Sequence, residues 1–378
     1  MLESLRNFPV CGLIGSRQVG KSTLARAIVN LRKDNSIYLD LELPSDLRKL
    51  TEPELYLQNH ADKMIVIDEI QRKPDLFPLI RSLVDSWGRN GCFLVLGSAS
   101  PDLIKQSSES LAGRILYTQL SPFVVQEVGS DPATINSLWL RGGYPRSFLA
   151  QSDHYSMQWR MAFGKTYLER DIPQLGIRVA SSMLDRFWTM LAHVHGQLWN
   201  AGTIAKSLGV SSPTCRHYLD ILEDTFIVRQ LKPYHFNTRK RLVKSPKVYL
   251  RDSGLLHTLL GIETLEQLFS HPSAGPSWEG FIIEQIINCC PDKIGRFYFY
   301  RTAAGAEIDL LYQSRSDIPP VPIEIKLSTA PTVSRGFREA MKDLQCDRAF
   351  VVYPGEEQYP LAKNITALPV SRINTIFE

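Results

Sequence analysis

The sequence predicts an α/β protein of more than one domain, led by a parallel sheet built around a phosphate-binding loop. Three observations predict it. The chain has 378 residues, beyond the roughly 250–300 at which a single hydrophobic core stops growing. Short apolar runs alternate with stretches of helical spacing along its length. The run Phe8-Pro-Val-Cys-Gly-Leu-Ile14 ends in Gly15-Ser-Arg-Gln-Val-Gly-Lys-Ser22, after which Leu24, Ala25, Ala27, Ile28 and Leu31 recur at helical spacing.

Composition sets the outer bounds. With 44% hydrophobic and 22% charged residues, a disordered chain, a collagen-like repeat and a coiled-coil rod are excluded. Lysine and arginine exceed aspartate and glutamate by 43 to 39, so any nucleic-acid surface has to be local. Six cysteines are scattered without a Cys-x-x-Cys pair or zinc spacing, which fits reduced thiols in a cytoplasm. No stretch reaches the ~18–20 apolar residues of a membrane span, and no secretory leader pattern is present. A cytoplasmic protein without membrane insertion is expected.

The strand–glycine loop–helix pattern G-x-x-x-x-G-K-S is a P-loop. Gly15 and Gly20 let the backbone wrap a phosphate, and the helix N-terminus stands behind it. Lys21 is expected to reach the β- and γ-phosphates and the Ser22 hydroxyl to ligate Mg²⁺, with Thr23 beside it in the nucleotide site. Met64-Ile-Val-Ile67 reads as a strand buried on both faces and ends in Asp68-Glu69. Asp68 is expected to hold Mg²⁺ and Glu69 to polarise the attacking water. Further strands are read at Ser36–Asp40, Cys92–Ser98 and Ile115–Leu120. Ser98 is either a polar sensor of the γ-phosphate or a turn cap. Arg114 is either a transition-state arginine, in its own or a neighbouring subunit, or a surface ion-pair partner. No Asn-Lys-x-Asp segment announces guanine, so ATP is the expected nucleotide.

Taken together, Gly15-Ser-Arg-Gln-Val-Gly-Lys-Ser, Ile67-Asp-Glu-Ile-Gln71, Leu96-Gly-Ser98, Ser110-Leu-Ala-Gly-Arg114, Ser121-Pro-Phe, Gly142-Gly-Tyr-Pro145 and Tyr167-Leu-Glu-Arg-Asp-Ile172 resemble the motif series of a large group of prokaryotic AAA-type ATPases. Members carry a C-terminal domain resembling the archaeal Holliday-junction-resolvase nucleases. The resemblance covers nearly the whole chain. Ser16 departs from it, standing where the group has proline. The resemblance implies a RecA-like P-loop core over 1–128, a helical connector or lid over 129–180, a winged helix-turn-helix over 181–250 and a PD-(D/E)XK nuclease-like domain over 251–378.

In the middle, Thr203 to Leu208 and Thr214 to Leu222 flank Gly209 as helix, tight turn, helix, with Ser212 expected to cap the second helix and Pro213 to open it. Thr214, Arg216 and His217 would then face a DNA groove, unless the module serves as a lid or protein contact. Between 225 and 251 stand Arg229, Lys232, Arg239, Lys240, Arg241, Lys244, Lys247 and Arg251 with no acidic residue. This strip either binds DNA phosphates or solubilises an exposed hairpin. In the last third, a helix (277–287), three strands (296–301, 307–312, 321–326), a helix (333–344) and a strand (348–353) follow the PD-(D/E)XK order. Asp309 falls in the second strand, and Glu324 and Lys326 share a face of the third because they are two residues apart. The resemblance adds Glu279 to the metal shell, with Glu284 as the alternative, for Mg²⁺ or Mn²⁺. The expected function is ATP hydrolysis coupled to DNA binding and metal-dependent DNA cleavage. Its alternative is a nucleotide switch whose later domains only bind partners. AAA modules commonly assemble as rings, so a homo-oligomer is among the expectations.

Overall fold

The computed structural model describes residues 1–32, 35–98, 109–174, 177, 179–235, 242–291 and 295–378. They fall into two compact units, Met1–Ser121 with Asp224–Phe226, and Pro122–Glu223 with Ile227–Glu378.

The first unit contains a five-stranded sheet, all parallel, in the order β2-β3-β4-β1-β5. The strands are β1 (Val10–Gly15), β2 (Ser36–Asp40), β3 (Met64–Asp68), β4 (Phe93–Ser98) and β5 (Ile115–Gln119). Alternate residues of each strand enter opposite layers. Val10, Ile65, Ile67, Phe93 and Val95 belong to one buried cluster, and Cys11, Leu13, Met64, Val66, Leu94 and Leu96 to the other. This period of two explains the continuous apolar runs: a parallel sheet covered on both faces has no solvent side on which to place polar residues. The helix Lys21–Arg32 contributes Ala25 and Ile28 to one layer, and Leu76–Trp87 packs Phe77, Ile80 and Leu83 into the other. Because every strand runs the same way, Gly15, Asp40, Asp68 and Ser98 all end at one edge of the sheet.

The second unit is organised around a six-stranded mixed sheet in the order β12-β13-β11-β10-β9-β8. Its members are β8 (Arg296–Arg301), β9 (Glu307–Gln313), β10 (Val321–Ile325), β11 (Ala349–Tyr353), β12 (Tyr359–Ala362) and β13 (Ile365–Pro369). The helix Ala274–Cys289 lays Trp278, Ile282 and Ile286 against Leu310, Ile323 and Val352 of that sheet. Trp139 of the helix Pro132–Arg141 shares this core, its indole N–H donating to Ser277 at 3.0 Å. A second core joins the helices Asp153–Thr166, Ser181–His193, Ala201–Leu208 and Ser212–Asp224 to the hairpin β6 (Val228–Leu231) and β7 (Lys247–Leu250). Gly209 ends its helix in the left-handed conformation, as the turn requires. The cap of the next helix corrects the expectation: Ser211, not Ser212, accepts from the Thr214 N–H.

The Gly142-Gly-Tyr-Pro motif has a packing origin. Asp252 caps the helix Ser253–Leu259 and also accepts from the Gly143 N–H at 2.8 Å. A Cβ on Gly142, at φ 75°, would stand 2.2 Å from the Asp252 carboxylate. Gly280 is similar: a Cβ there would lie 2.3 Å from His195 Nε2. That imidazole is buried, accepts from the Leu250 N–H through Nδ1 at 3.0 Å, and is pushed down to about 3 by its burial, so it stays neutral. Gly280→Ala is therefore expected to cost about 1–3 kcal/mol through overpacking. The check is the denaturation midpoint, which should fall in Gly280→Ala but hold or rise slightly in a Gly275→Ala control, where a Cβ meets open space in the same helix.

Candidate functional site

The nucleotide site forms at the carboxyl edge of the first sheet. The P-loop runs from Gly15 to Gly20 and opens the helix Lys21–Arg32, which directs backbone N–H groups toward an anion. Gln18 in the loop and Glu69 after β3 are two of four non-glycine residues with positive φ among the described residues. Such backbone strain concentrates at functional positions. Lys21 is buried and donates to the carbonyls of Gly15 at 2.9 Å and Ser16 at 2.8 Å. Burial pushes its ammonium down to about 8, with Glu69 and Asp68 opposing. Those carbonyls hold the lysine where a phosphate would otherwise draw it.

Asp68 accepts from the Glu69 N–H at 3.0 Å and from the Tyr38 hydroxyl. The same Tyr38 hydroxyl also hydrogen-bonds Ser22. Ser22 and Asp68 thus converge on one small centre, an oxygen pair suited to Mg²⁺. Tyr38 carries no motif signal, and sequence reasoning missed it. Glu69 is pushed above the ordinary carboxylate range by burial, Lys21 opposing and Asp68 adding repulsion, and its carboxylate is held by the Gln71 amide. Thr23 is exposed on the first helical turn. The backbone of Ser98 pairs with Gly15, while its side chain lies outside the described residues.

Arg114 is not brought to this edge. It precedes β5, whose Ile115 pairs with Val10, so it stands at the opposite end of the sheet, about 16 Å of strand from Gly15. Its guanidinium binds Asp85 in a bidentate pair at 2.6 and 2.8 Å. The surface ion-pair reading holds, and the Arg114 phosphate contact within its own chain is corrected. The register decides it: in a parallel sheet only strand ends, not strand beginnings, meet the loop.

An acidic pocket forms in the second unit. β9 and β10 are antiparallel with Tyr312 opposite Val321 and Leu310 opposite Ile323, and Asp309 and Glu324 are the next residue on each strand. Asp309 accepts from the Ile325 N–H at 2.8 Å, and Lys326 binds Glu324 at 2.5 Å. The Trp278 indole donates to the Lys326 carbonyl at 3.0 Å. Glu279, on the helix behind, accepts from Lys247 at 3.0 Å and from the Tyr249 hydroxyl at 2.5 Å. Lys247 also pairs with Glu307 at 2.7 Å. Burial, followed by repulsion from Glu279 and Glu324, pushes Asp309 well above its ordinary range, and burial raises Glu324 with Lys326 opposing. The carboxylates of Asp309 and Glu324, close enough to repel one another and balanced by Lys247 and Lys326, are hard oxygen donors of the kind Mg²⁺ or Mn²⁺ takes. Among the described residues no group of three or more His, Cys, Asp or Glu side chains forms a metal cage. Lys247 and Tyr249, two apart on one strand, share a face, a signal that was present in the sequence.

Glu284 lies five residues beyond Glu279, about 140° around the helix, and serves a different partner set. It is buried between Arg229 and Arg251, the latter at 3.0 Å. This corrects the basic strip. Arg229, Lys247 and Arg251 neutralise internal carboxylates and are not presented to a phosphate backbone. Lys232 and Lys244 are exposed, while Arg239, Lys240 and Arg241 lie outside the described residues. In the preceding helix Arg216 and His217 are exposed and Thr214 is half-buried.

Fold and loop define the class: an AAA-type P-loop ATPase, with residues 7–129 matching the AAA domain family. Residues 133–266 and 274–373 match two domains of unknown function, DUF8612 and DUF4143. The chain belongs to the family of the uncharacterized proteins Rv2008c of Mycobacterium tuberculosis and Mb2031c of Mycobacterium bovis. Each is 45% identical to it over 374 residues, a span of 99% of this chain and 82% of the relative. An uncharacterized protein of Haemophilus influenzae is 24% identical over 276 residues, 65% of this chain and 68% of its own. Among solved structures, the Walker-type ATPase paby2304 of Pyrococcus abyssi aligns with a TM-score of 0.47 and 18% identity, over 68% of this chain and 93% of that one. No helix among the described residues is long and apolar enough to cross a membrane.

Proposed function

We propose that this ATPase couples nucleotide hydrolysis to the binding and metal-dependent cleavage of DNA. The observation that carries the cleavage half is the meeting of Asp309 on β9, Glu324 on β10 and Lys326 just after β10 with Glu279 of the helix Ala274–Cys289. In the nucleotide site, Lys21 would neutralise the β- and γ-phosphates, Ser22 and Asp68 would hold Mg²⁺, and Glu69 would accept the proton of the attacking water. In the acidic pocket, Asp309 and Glu324, with a backbone carbonyl, would hold Mg²⁺ or Mn²⁺. A cation bound there supplies charge neutralisation and a water of lowered pKa. Lys326 orients the nucleophile or balances charge on the transferring phosphate. The helix Ser212–Asp224 presents Arg216 and His217 to DNA in the manner of a winged helix, with Lys232 and Lys244 on nearby phosphates. The protein works in the cytoplasm, and ring assembly would let an arginine of a neighbouring copy reach the γ-phosphate.

The test is Mg²⁺- or Mn²⁺-dependent cleavage of plasmid and branched DNA by the full chain. Asp309→Ala should lower it by more than the roughly 10–100-fold that loss of a metal ligand's outer-shell partner costs. Equal cleavage by both proteins sinks this reading. A second reading, a nucleotide-controlled module that binds partners without cutting, is favoured by Lys247, whose ammonium already engages Glu279 and Glu307. It requires no cleavage with any divalent ion and a partner affinity that differs between ATP and ADP.

A further inference from the structure

The cation already inside the acidic pocket comes from outside the strands and helix that supply its carboxylates. Lys247 lies on β7, in the hairpin, and its side chain is only 4% exposed. Burial of an ammonium is tolerated only where carboxylates meet it. Here Glu279 meets it at 3.0 Å and Glu307 at 2.7 Å, and Asp309 adds its field. The Phe299 ring stands 5.7 Å from the ammonium, which fixes it from a further side. Tyr249, two residues on, binds the same Glu279 oxygen at 2.5 Å. β7 therefore delivers a point charge and a hydroxyl together to one carboxylate, the one that the resemblance adds to the metal shell. Lys326, the lysine of the third-strand motif, is engaged separately on Glu324.

We propose that the Lys247 ammonium is the resident cation of this pocket, and that a divalent metal gains Glu279 as a ligand only by displacing it. The pocket then has two states. With Lys247 seated, Asp309 and Glu324 alone face a metal. With Lys247 withdrawn along its flexible stem, Glu279 joins them and the shell closes. Lys247 is thus a gating residue, and the hairpin that carries it sets the metal affinity of a site built on other elements. This inference rests on the nuclease reading of the pocket, which places the metal at Asp309 and Glu324.

The test is Mn²⁺ binding to the nucleotide-free full chain, followed by the paramagnetic signal of the free ion. An opposite charge at this range shifts a carboxylate's equilibrium by about 1–3 powers of ten, so Lys247→Met should bind Mn²⁺ at least about tenfold tighter than wild type. Arg301→Met removes a cation that touches Glu307 at 3.4 Å with no contact to Glu279 in the structure, and should change the affinity by less than about threefold. Because Lys247→Met leaves Glu307 without its buried partner, Lys247→Met/Glu307→Gln restores the balance and should show the same gain. No gain in either Lys247 variant, or an equal gain in Arg301→Met, overturns the gating role. Mn²⁺ binding that Asp309→Ala leaves untouched in every background removes both the gate and the nuclease reading. Binding abolished by Asp309→Ala but indifferent to Lys247 removes the gate alone.

Discussion

Glu69→Gln is expected to lower ATP turnover by about 10²–10⁴-fold, the range general-base catalysis contributes, while the protein continues to bind ATP. The substitution keeps the size and the hydrogen-bonding reach of the side chain and removes only its ability to accept a proton. Glu69 follows Asp68 at the end of β3 and holds a left-handed backbone, φ 56° and ψ 45°, a conformation that costs a non-glycine residue of order 1–3 kcal/mol. That geometry separates two adjacent carboxylates: Asp68 stays with Tyr38, and Glu69 goes to the Gln71 amide. Burial raises the Glu69 carboxyl from its ordinary value, so its proton-accepting form is lost as pH falls through a value above the usual 4.5. The acid limb of the wild-type pH–rate profile should accordingly lie higher than an ordinary glutamate would place it. The measurements are phosphate release from ATP and retention of labelled ATP by the purified protein. Normal turnover in Glu69→Gln would assign the proton acceptor elsewhere.

The nucleotide site was legible because its chemistry is local in sequence. Gly15 to Ser22 supply loop, lysine and hydroxyl within eight residues, and Asp68-Glu69 close an apolar run that could only be a strand buried on both faces. The C-terminal elements were legible for a similar reason: Asp309 and Glu324-x-Lys326 lie on strands whose order the hydrophobic periodicity gives, although β12 and β13 escaped it. What escaped elsewhere depends on register and long-range pairing. Arg114 sits beside a strand that was correctly read, yet at the wrong end of the sheet, and only the pairing of Ile115 with Val10 reveals that. The basic strip misled because composition cannot tell a cation facing water from one facing a buried carboxylate. Glu284 and Glu279 lie more than 25 residues along the chain from the cations they neutralise, so no local window contains both signs. Tyr38 is invisible for the same reason, since its partners come from other elements, Ser22 from the start of the helix Lys21–Arg32 and Asp68 from the end of β3.

Glu284→Ala should be the most destabilising of the substitutions considered, at about 3–5 kcal/mol, because it leaves two guanidinium groups buried without a counter-charge. Arg229 and Arg251 both reach this one carboxylate, from β6 and from the residue just after β7, and tie the hairpin to the helix Ala274–Cys289. The two arginines hold the Glu284 carboxyl down to about 2 from an ordinary 4.5 despite its burial, a displacement worth about 3 kcal/mol. Its sign gives the pH dependence. The folded value is the depressed one, so the stabilisation is fully present above about pH 4.5 and drains away as pH falls toward 2. Wild type should lose stability across that window, and Glu284→Gln should lack that component of the acid dependence while starting lower. Thermal denaturation at pH 7, 4 and 3 separates the two, and parallel curves would show that the carboxylate is not linked to folding. The triad also changes how DNA-binding tests are read. Under the proposed DNA reading, Arg229→Ala or Arg251→Ala would act by unfolding the hairpin, whereas Lys232→Ala and Lys244→Ala remove exposed charge and are the variants that test whether phosphates bind there. If the triple replacement Arg229→Met/Glu284→Leu/Arg251→Met recovers the stability that Glu284→Ala loses, the three charges set the register of hairpin on helix rather than supply net energy, as buried ion networks elsewhere do.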